Sequence, residues 1–210
     1  MRMIRLLITL LALTALSCAC RRAGPPPTFQ WGVGEHVLPV LSSDSEYRGT
    51  AVRVWCAGNT SYALTAKHLF DRGPRNIAGY AAEVVQHHAK ADLSVVMWQE
   101  KCARHAFVGG VDVRTAPPTT IVVIAGPHGR FPSVNKGHVT HITTRYGWRR
   151  FYHDAATEPG SSGGGVFNER GHLVGIVSGA FFRSGVAVHG SGYAVHTSHL
   201  REMMNGLLNE

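Results

Sequence analysis

Gly160-Ser161-Ser162-Gly163-Gly164 sets a serine among backbone amides with almost no side-chain bulk around them. Such a loop can present a nucleophilic hydroxyl and, in the same turn, N–H groups able to hold a developing oxyanion. A hydroxyl of this kind is a poor nucleophile without a base. His68 follows the apolar run Ser61-Tyr62-Ala63-Leu64, and Asp92 opens the apolar run Leu93-Ser94-Val95-Val96. A histidine accepts a serine proton only when its tautomer and ring direction are fixed, and a buried aspartate on the other ring nitrogen does this. The order His68, Asp92, Ser162 therefore reads as base, orienting acid and nucleophile. Asp71, three residues beyond His68, is read as capping the local turn, and Ser161 lacks the flanking Gly-Gly that Ser162 has.

The pentapeptide also satisfies Gly-x-Ser-x-Gly, the nucleophile elbow of α/β-hydrolases. In that fold the acid and histidine follow the serine. Only Glu169, Glu202 and Glu210 supply carboxylates after Ser162, and too little chain remains for the later strands and helices. The sequence instead resembles the trypsin-like (chymotrypsin-fold) serine peptidases, in the short bacterial and viral style of the HtrA/DegP and glutamyl-endopeptidase domains. The matching pieces are Gly49-Thr50-Ala51-Val52, Leu64-Thr65-Ala66-Lys67-His68, Asp92-Leu93, residues 159–167 and residues 171–179. They span nearly all of residues 30–210.

The resemblance implies that the N–H groups of Gly160 and Ser162 form the oxyanion hole. It implies that Ala156 lies at the base of the primary pocket, with Ser178, Gly179 and Ala180 along its wall, Ser191 as another lining residue and Thr157 among the substrate-binding residues. None of these is acidic, which argues against a preference for Arg or Lys. Thr157 matches a threonine of the glutamate-specific relatives, but Val177 stands where they carry histidine. A small or medium apolar side chain is the expected preference. Residues 178–180 are expected to pair with the substrate backbone as an added strand. Ser161 replaces the aspartate that zymogen-activated relatives carry before the nucleophile, so no internal activating cut is expected.

These residues need rigid elements. Short β-rich runs separated by Gly, Pro, Asn and Asp occur at 49–56, 61–65, 83–88, 93–98, 119–125, 134–143, 150–155, 165–167, 173–178 and 192–196. That spacing indicates a barrel or sandwich. The expected fold is all-β: two six-stranded antiparallel barrels, at about 30–100 and 117–196, followed by a helix at 197–209. Leu200, Met203, Met204 and Leu207 give that helix its apolar stripe. Residues 101–118 are expected to join the barrels, with His68 and Asp92 on the first, Ser162 on the second, and the active site between them.

The 210 residues, 44% hydrophobic, can bury a substantial core. The formal charge of +8 comes from scattered Lys and Arg, which does not read as a specific nucleic-acid surface. Residues 1–20 read as an export leader, with Arg2 and Arg5 ahead of an apolar segment too short to span a membrane comfortably. Three outcomes stay open: lipidation at Cys18 after a lipobox-like Ala15-Leu16-Ser17, cleavage after Ala19, or an uncleaved anchor. Residues 21–29, with Pro25-Pro26-Pro27, form a stiff linker. Cys56 and Cys102 are an even pair that an exported protein could bridge, or two buried thiols. His138-x-x-His141 and His196-x-x-His199 read as surface histidines, and no metal or other cofactor is expected. The expected partner is a protein or peptide substrate, for an exported serine endopeptidase that is secreted, periplasmic or held at a membrane by a lipid or its leader. The alternative is a catalytically silent relative that binds peptides or a cell-envelope partner in the same cleft.

Overall fold

In the computed structural model, described residues are 31–208 apart from Arg72, Pro74, 102–118 and Gly185. The leader with Cys18, the proline linker and Cys102 lie outside them. No helix among the described residues is long and apolar enough to cross a membrane.

The first barrel contains β1 (Val37–Ser42), β2 (Tyr47–Ala57), β3 (Thr60–Thr65), β4 (Arg75–Ile77), β5 (Tyr80–His87) and β6 (Ser94–Gln99). It closes in the order β1-β2-β3-β6-β5-β4. The second contains β7 (Thr120–Ala125), β8 (Ser133–Arg145), β9 (Trp148–His153), β10 (Gly165–Asn168), β11 (Leu173–Arg183) and β12 (Val186–His196). It closes as β10-β11-β12-β9-β8-β7, and helix α1 (Thr197–Leu208) follows β12 directly. All pairings are antiparallel. The two-barrel expectation is thus met.

Strand alternation explains why the apolar runs are nearly continuous. Side chains of successive residues point to opposite faces of a strand. Along β7, Ile121, Val123 and Ala125 fill the second barrel, while Val122 and Ile124 face outward into a different core. Along β6, Val96 and Trp98 fill the first barrel, while Val95 joins that same outer core. The outer core is the seam between the barrels, where Val52, Leu64, Leu93 and Val95 meet Ile124, Phe167, Ile176 and Val195. Leu200 and Met203 of α1 are fully buried in it. Both faces of these strands are covered, so Ile121-Val122-Val123-Ile124 has no polar alternation to show.

Two strands and parts of two others differ from the sequence reading. β1 carries Pro39, which weakens any strand assignment; here its carbonyl still accepts Ala78 N–H at 3.0 Å. β4 has only three residues. β11 and β12 run on as a hairpin past Ser178, where glycines at 179, 190 and 192 read as turn signals.

Candidate active site

His68 sits in a one-turn 3-10 helix, Lys67–Leu69, anchored by buried Ala66 and Leu69 at the end of β3. Asp92 lies in the turn entering β6, closed by Leu93 N–H to Ala91 O at 2.8 Å. β3 and β6 are neighbours in register Thr65↔Ser94, which brings the two residues together. Asp92 Oδ2 lies 2.8 Å from His68 Nδ1, and Asp92 Oδ1 accepts the His68 backbone N–H at 3.0 Å. One carboxylate therefore fixes both the ring and the peptide of His68. Ser178 Oγ donates to Asp92 Oδ2 at 2.5 Å, a contact between barrels. Burial raises the Asp92 pKa, but the hydrogen bonds and charge of His68 and the Ser178 hydroxyl outweigh it, so the group is held below the usual 3.8. Asp71 instead lines a cleft of about 720 Å³ against His68, together with Asp44, Arg48 and Arg75.

Ser162 is held through its backbone. Its carbonyl accepts Thr50 N–H at 2.8 Å across the seam, and Gly163 N–H donates to Val177 O at 2.7 Å. Gly163 has φ +82°, and a Cβ there would sit 1.8 Å from Thr50 O, so no other residue fits. Ser162 Oγ makes a loose 3.4 Å contact with the Ser178 carbonyl. Among the described residues, the N–H groups of Gly160 and Ser162 donate to nothing. Gly160 and Ser162 are both partly exposed, so two free N–H groups beside a serine stand open to a ligand oxygen. Ser161 is buried, its Oγ accepting Glu158 N–H at 3.2 Å.

The expected pocket residues are spread more widely. Thr157 is buried and its hydroxyl donates to Ala155 O at 3.2 Å. A methyl on Gly192 would lie 2.7 Å from that hydroxyl and 2.3 Å from His153 Cε1, so Thr157 and His153 close together over Gly192. The sequence reading passed over His153. It is fully buried, and neither ring nitrogen closes a hydrogen bond. Burial pushes its pKa down to about 4, against weaker opposing effects from the Ala155 backbone and Asp154. Ala156 is exposed and faces a separate hollow of about 180 Å³ with His128 and Glu158. Ser191 Oγ is engaged with Phe181 and Val188 within the β11–β12 hairpin. Ser178 is bonded to Asp92, a contact that spacing could not reveal. Residues 179–183 of β11 pair with β12, whereas β10 reaches only Ile176, so the edge expected to take a substrate strand continues beyond Gly179.

Two other groups were candidates for different chemistry. His88, His199 and Glu202 converge, with His88 Nε2 and His199 Nδ1 3.1 Å apart and 3.2 and 3.5 Å from Glu202 Oε2. The far nitrogens decide their use: His88 Nδ1 accepts Lys90 and Ala91 N–H, and His199 Nε2 accepts Arg149 N–H. The facing nitrogens then carry the protons and donate to Glu202, whereas a metal ligand donates from its far nitrogen. The cluster is a clasp between the first barrel and α1. His196 corrects the surface reading: it ends β12 facing inward, fully buried, with its pKa lowered to about 4 chiefly by burial. Cys56 is disulfide-bonded.

The profile of the trypsin-like peptidase domain matches residues 49–176, more than half of the chain. Among solved structures, the HtrA-type protease AlgW with a decapeptide superposes with a TM-score of 0.67 at 21% identity, covering 85% of this chain and 66% of that one. An AlgW variant with a tripeptide gives a TM-score of 0.73 at 23% identity, with 83% and 60% covered. A serine endoprotease from Yersinia pestis gives 0.65 at 22% identity, with 85% and 64% covered. The chain thus spans about two thirds or less of these proteins. No curated protein sequence matches it. With two closed six-stranded barrels and a profile match running from β2 to β11 across His68, Asp92 and Ser162, the chain belongs to the trypsin-like peptidase family.

Proposed function

We propose that the chain is an exported serine endopeptidase working through His68, Asp92 and Ser162. One observation carries this reading: two ungripped backbone N–H groups, of Gly160 and Ser162, flank a serine whose neighbour Ser178 is bonded to the Asp92–His68 pair. Ser162 Oγ attacks the scissile carbonyl and His68 takes its proton. The carbonyl oxygen becomes an oxyanion, which the two N–H groups stabilise. His68 then protonates the leaving amine, and water releases the acyl-enzyme by the same steps in reverse. Asp92, ionised through the neutral range, keeps the Nδ1 proton in place throughout.

No carboxylate occurs among Ala156, Thr157, Ser178, Gly179, Ala180 and Ser191, and His153 is neutral at neutral pH. This supports an uncharged, small or medium apolar residue on the acyl side of the cut. The leader supports export, with lipidation at Cys18 or cleavage after Ala19 as the two processing routes. A fluorophosphonate probe on the folded protein, with casein as an unstructured substrate, tests the reading. Labelling at Ser162 and casein cleavage abolished in Ser162→Ala are expected; an unlabelled Ser162 or equal cleavage by both proteins sinks it.

A further inference from the structure

The polar backbone atoms of residues 158–161 can be followed to their partners. Ser161 N–H donates to Glu158 O at 2.9 Å, closing a four-residue turn with Pro159 and Gly160 at its centre. Gly160 has φ +94°, and proline cannot adopt positive φ, so the turn is type II. A type I turn would rotate the Pro159–Gly160 peptide by about half a turn, putting the Pro159 oxygen where the Gly160 N–H now points. His128 N–H holds that oxygen at 2.9 Å. The next peptide is held from the other barrel. Tyr47 Oη donates to Gly160 O at 2.8 Å, and Thr50 Oγ1 donates to the same oxygen at 3.0 Å. Thr50 Oγ1 in turn accepts Gly126 N–H at 3.2 Å. Tyr47 Oη and Thr50 Oγ1 also lie 2.9 Å apart; with both hydroxyl protons given to the two lone pairs of the carbonyl, that contact carries none.

We propose that Tyr47, seconded by Thr50, is a positioning residue for the oxyanion site, holding the Gly160–Ser161 peptide so that Gly160 N–H faces the developing oxyanion. This rests on the serine peptidase reading above. The fit is close on every side: a methyl on Gly160 would lie 2.6 Å from the Tyr47 ring, 2.8 Å from Gly126 O and 3.1 Å from His128 N. The ring also lies against Gly129, a Cβ on which would sit 3.7 Å from it. Burial raises the phenol pKa above its usual 10.0, so Tyr47 remains a donor wherever a peptidase of this kind works.

Tyr47→Phe keeps the ring and removes the proton. The readouts are the rate of Ser162 phosphonylation by a fluorophosphonate, whose oxygen occupies the same hole, the kcat and KM for casein, and the melting temperature. Both kcat and the phosphonylation rate are expected to fall about 10- to 100-fold with KM unchanged, somewhat less than for outright loss of a donor. Thr50→Val should lose several-fold in the same two rates, and Thr50→Ser should restore them. A Tyr47→Phe protein that melts lower but reacts within twofold of wild type makes the contact a mere staple between barrels and overturns the proposal. Should Tyr47→Phe not fold, wild-type rates in Thr50→Val overturn it instead. A wild-type protein that the probe does not label overturns the peptidase reading and this one together, whereas a labelled wild type with an unaffected Tyr47→Phe overturns this one alone.

Discussion

The two barrels contribute to the site in different currencies. The first supplies side chains, His68 and Asp92, oriented by hydrogen bonds at 2.8 and 3.0 Å and still reached by solvent. The second supplies one hydroxyl, that of Ser162, and mainly backbone, with Gly160 and Gly163 held in a loop where a single added methyl collides at 1.8 to 2.6 Å. Side chains can be exchanged without disturbing the fold beneath them. Backbone can be changed only through the fold itself.

The contrast predicts distinct failures. Ser162→Ala or His68→Ala should cost about 10⁶-fold in kcat, since members of such a unit fail together, with melting temperature unchanged. Asp92→Asn should cost about 10⁴-fold, because it leaves the ring in the wrong tautomer, with only a small loss of stability from the carboxylate's lost interactions. Gly160→Ala should lose about 10²- to 10³-fold in kcat and also melt lower, having both a positive φ and three close neighbours. Thermal melts run beside casein assays separate the two classes, and a stability loss in Asp92→Asn equal to that in Gly160→Ala would erase the distinction.

The pH dependence of stability sharpens the same comparison at smaller amplitude. Asp92 has its folded pKa depressed, so its contribution is complete above about 3.8 and is lost only as pH falls through the lower folded value. His153 is also depressed, to about 4, but it is a base: between 6.5 and 4 the unfolded chain binds a proton that the folded chain refuses. Stability therefore falls as pH drops through that window, by about 1.4 kcal/mol per pH unit for one such group. Urea titrations from pH 7 to 4.5 should show this slope, and His153→Leu should lower it by one proton. An unchanged slope would show that His153 charges freely in the folded protein.

The two-barrel architecture was legible in the sequence, as were the motifs that nominate the candidate site, but several strands and the contacts around that site were not. Gly160-Ser161-Ser162-Gly163-Gly164, His68 and Asp92 are local motifs whose residue types are dictated by reaction and backbone geometry. β1 was hidden by Pro39 and β4 by its length, since a strand of three residues is stabilised by neighbours on both sides rather than by its own pattern. The extended hairpin was hidden by its glycines. Tyr47 and Gly160 are 113 residues apart, and a tyrosine at the start of a strand carries no mark of the carbonyl it will bind. His153 ended an ordinary alternating strand, where nothing distinguishes an imidazole left without partners from one facing water.

The seam between the barrels combines two properties seldom found in one surface. It is a continuous apolar core, from Val52 and Leu93 to Ile176 and Leu200, and its rim carries every group assigned to the reaction. Each barrel alone would expose an apolar face and half of the proposed catalytic set. Burial of that face would therefore also keep the proposed base and nucleophile in register, and a volume change at Ile124 or Val95 would act as an allosteric mutation without any allosteric site.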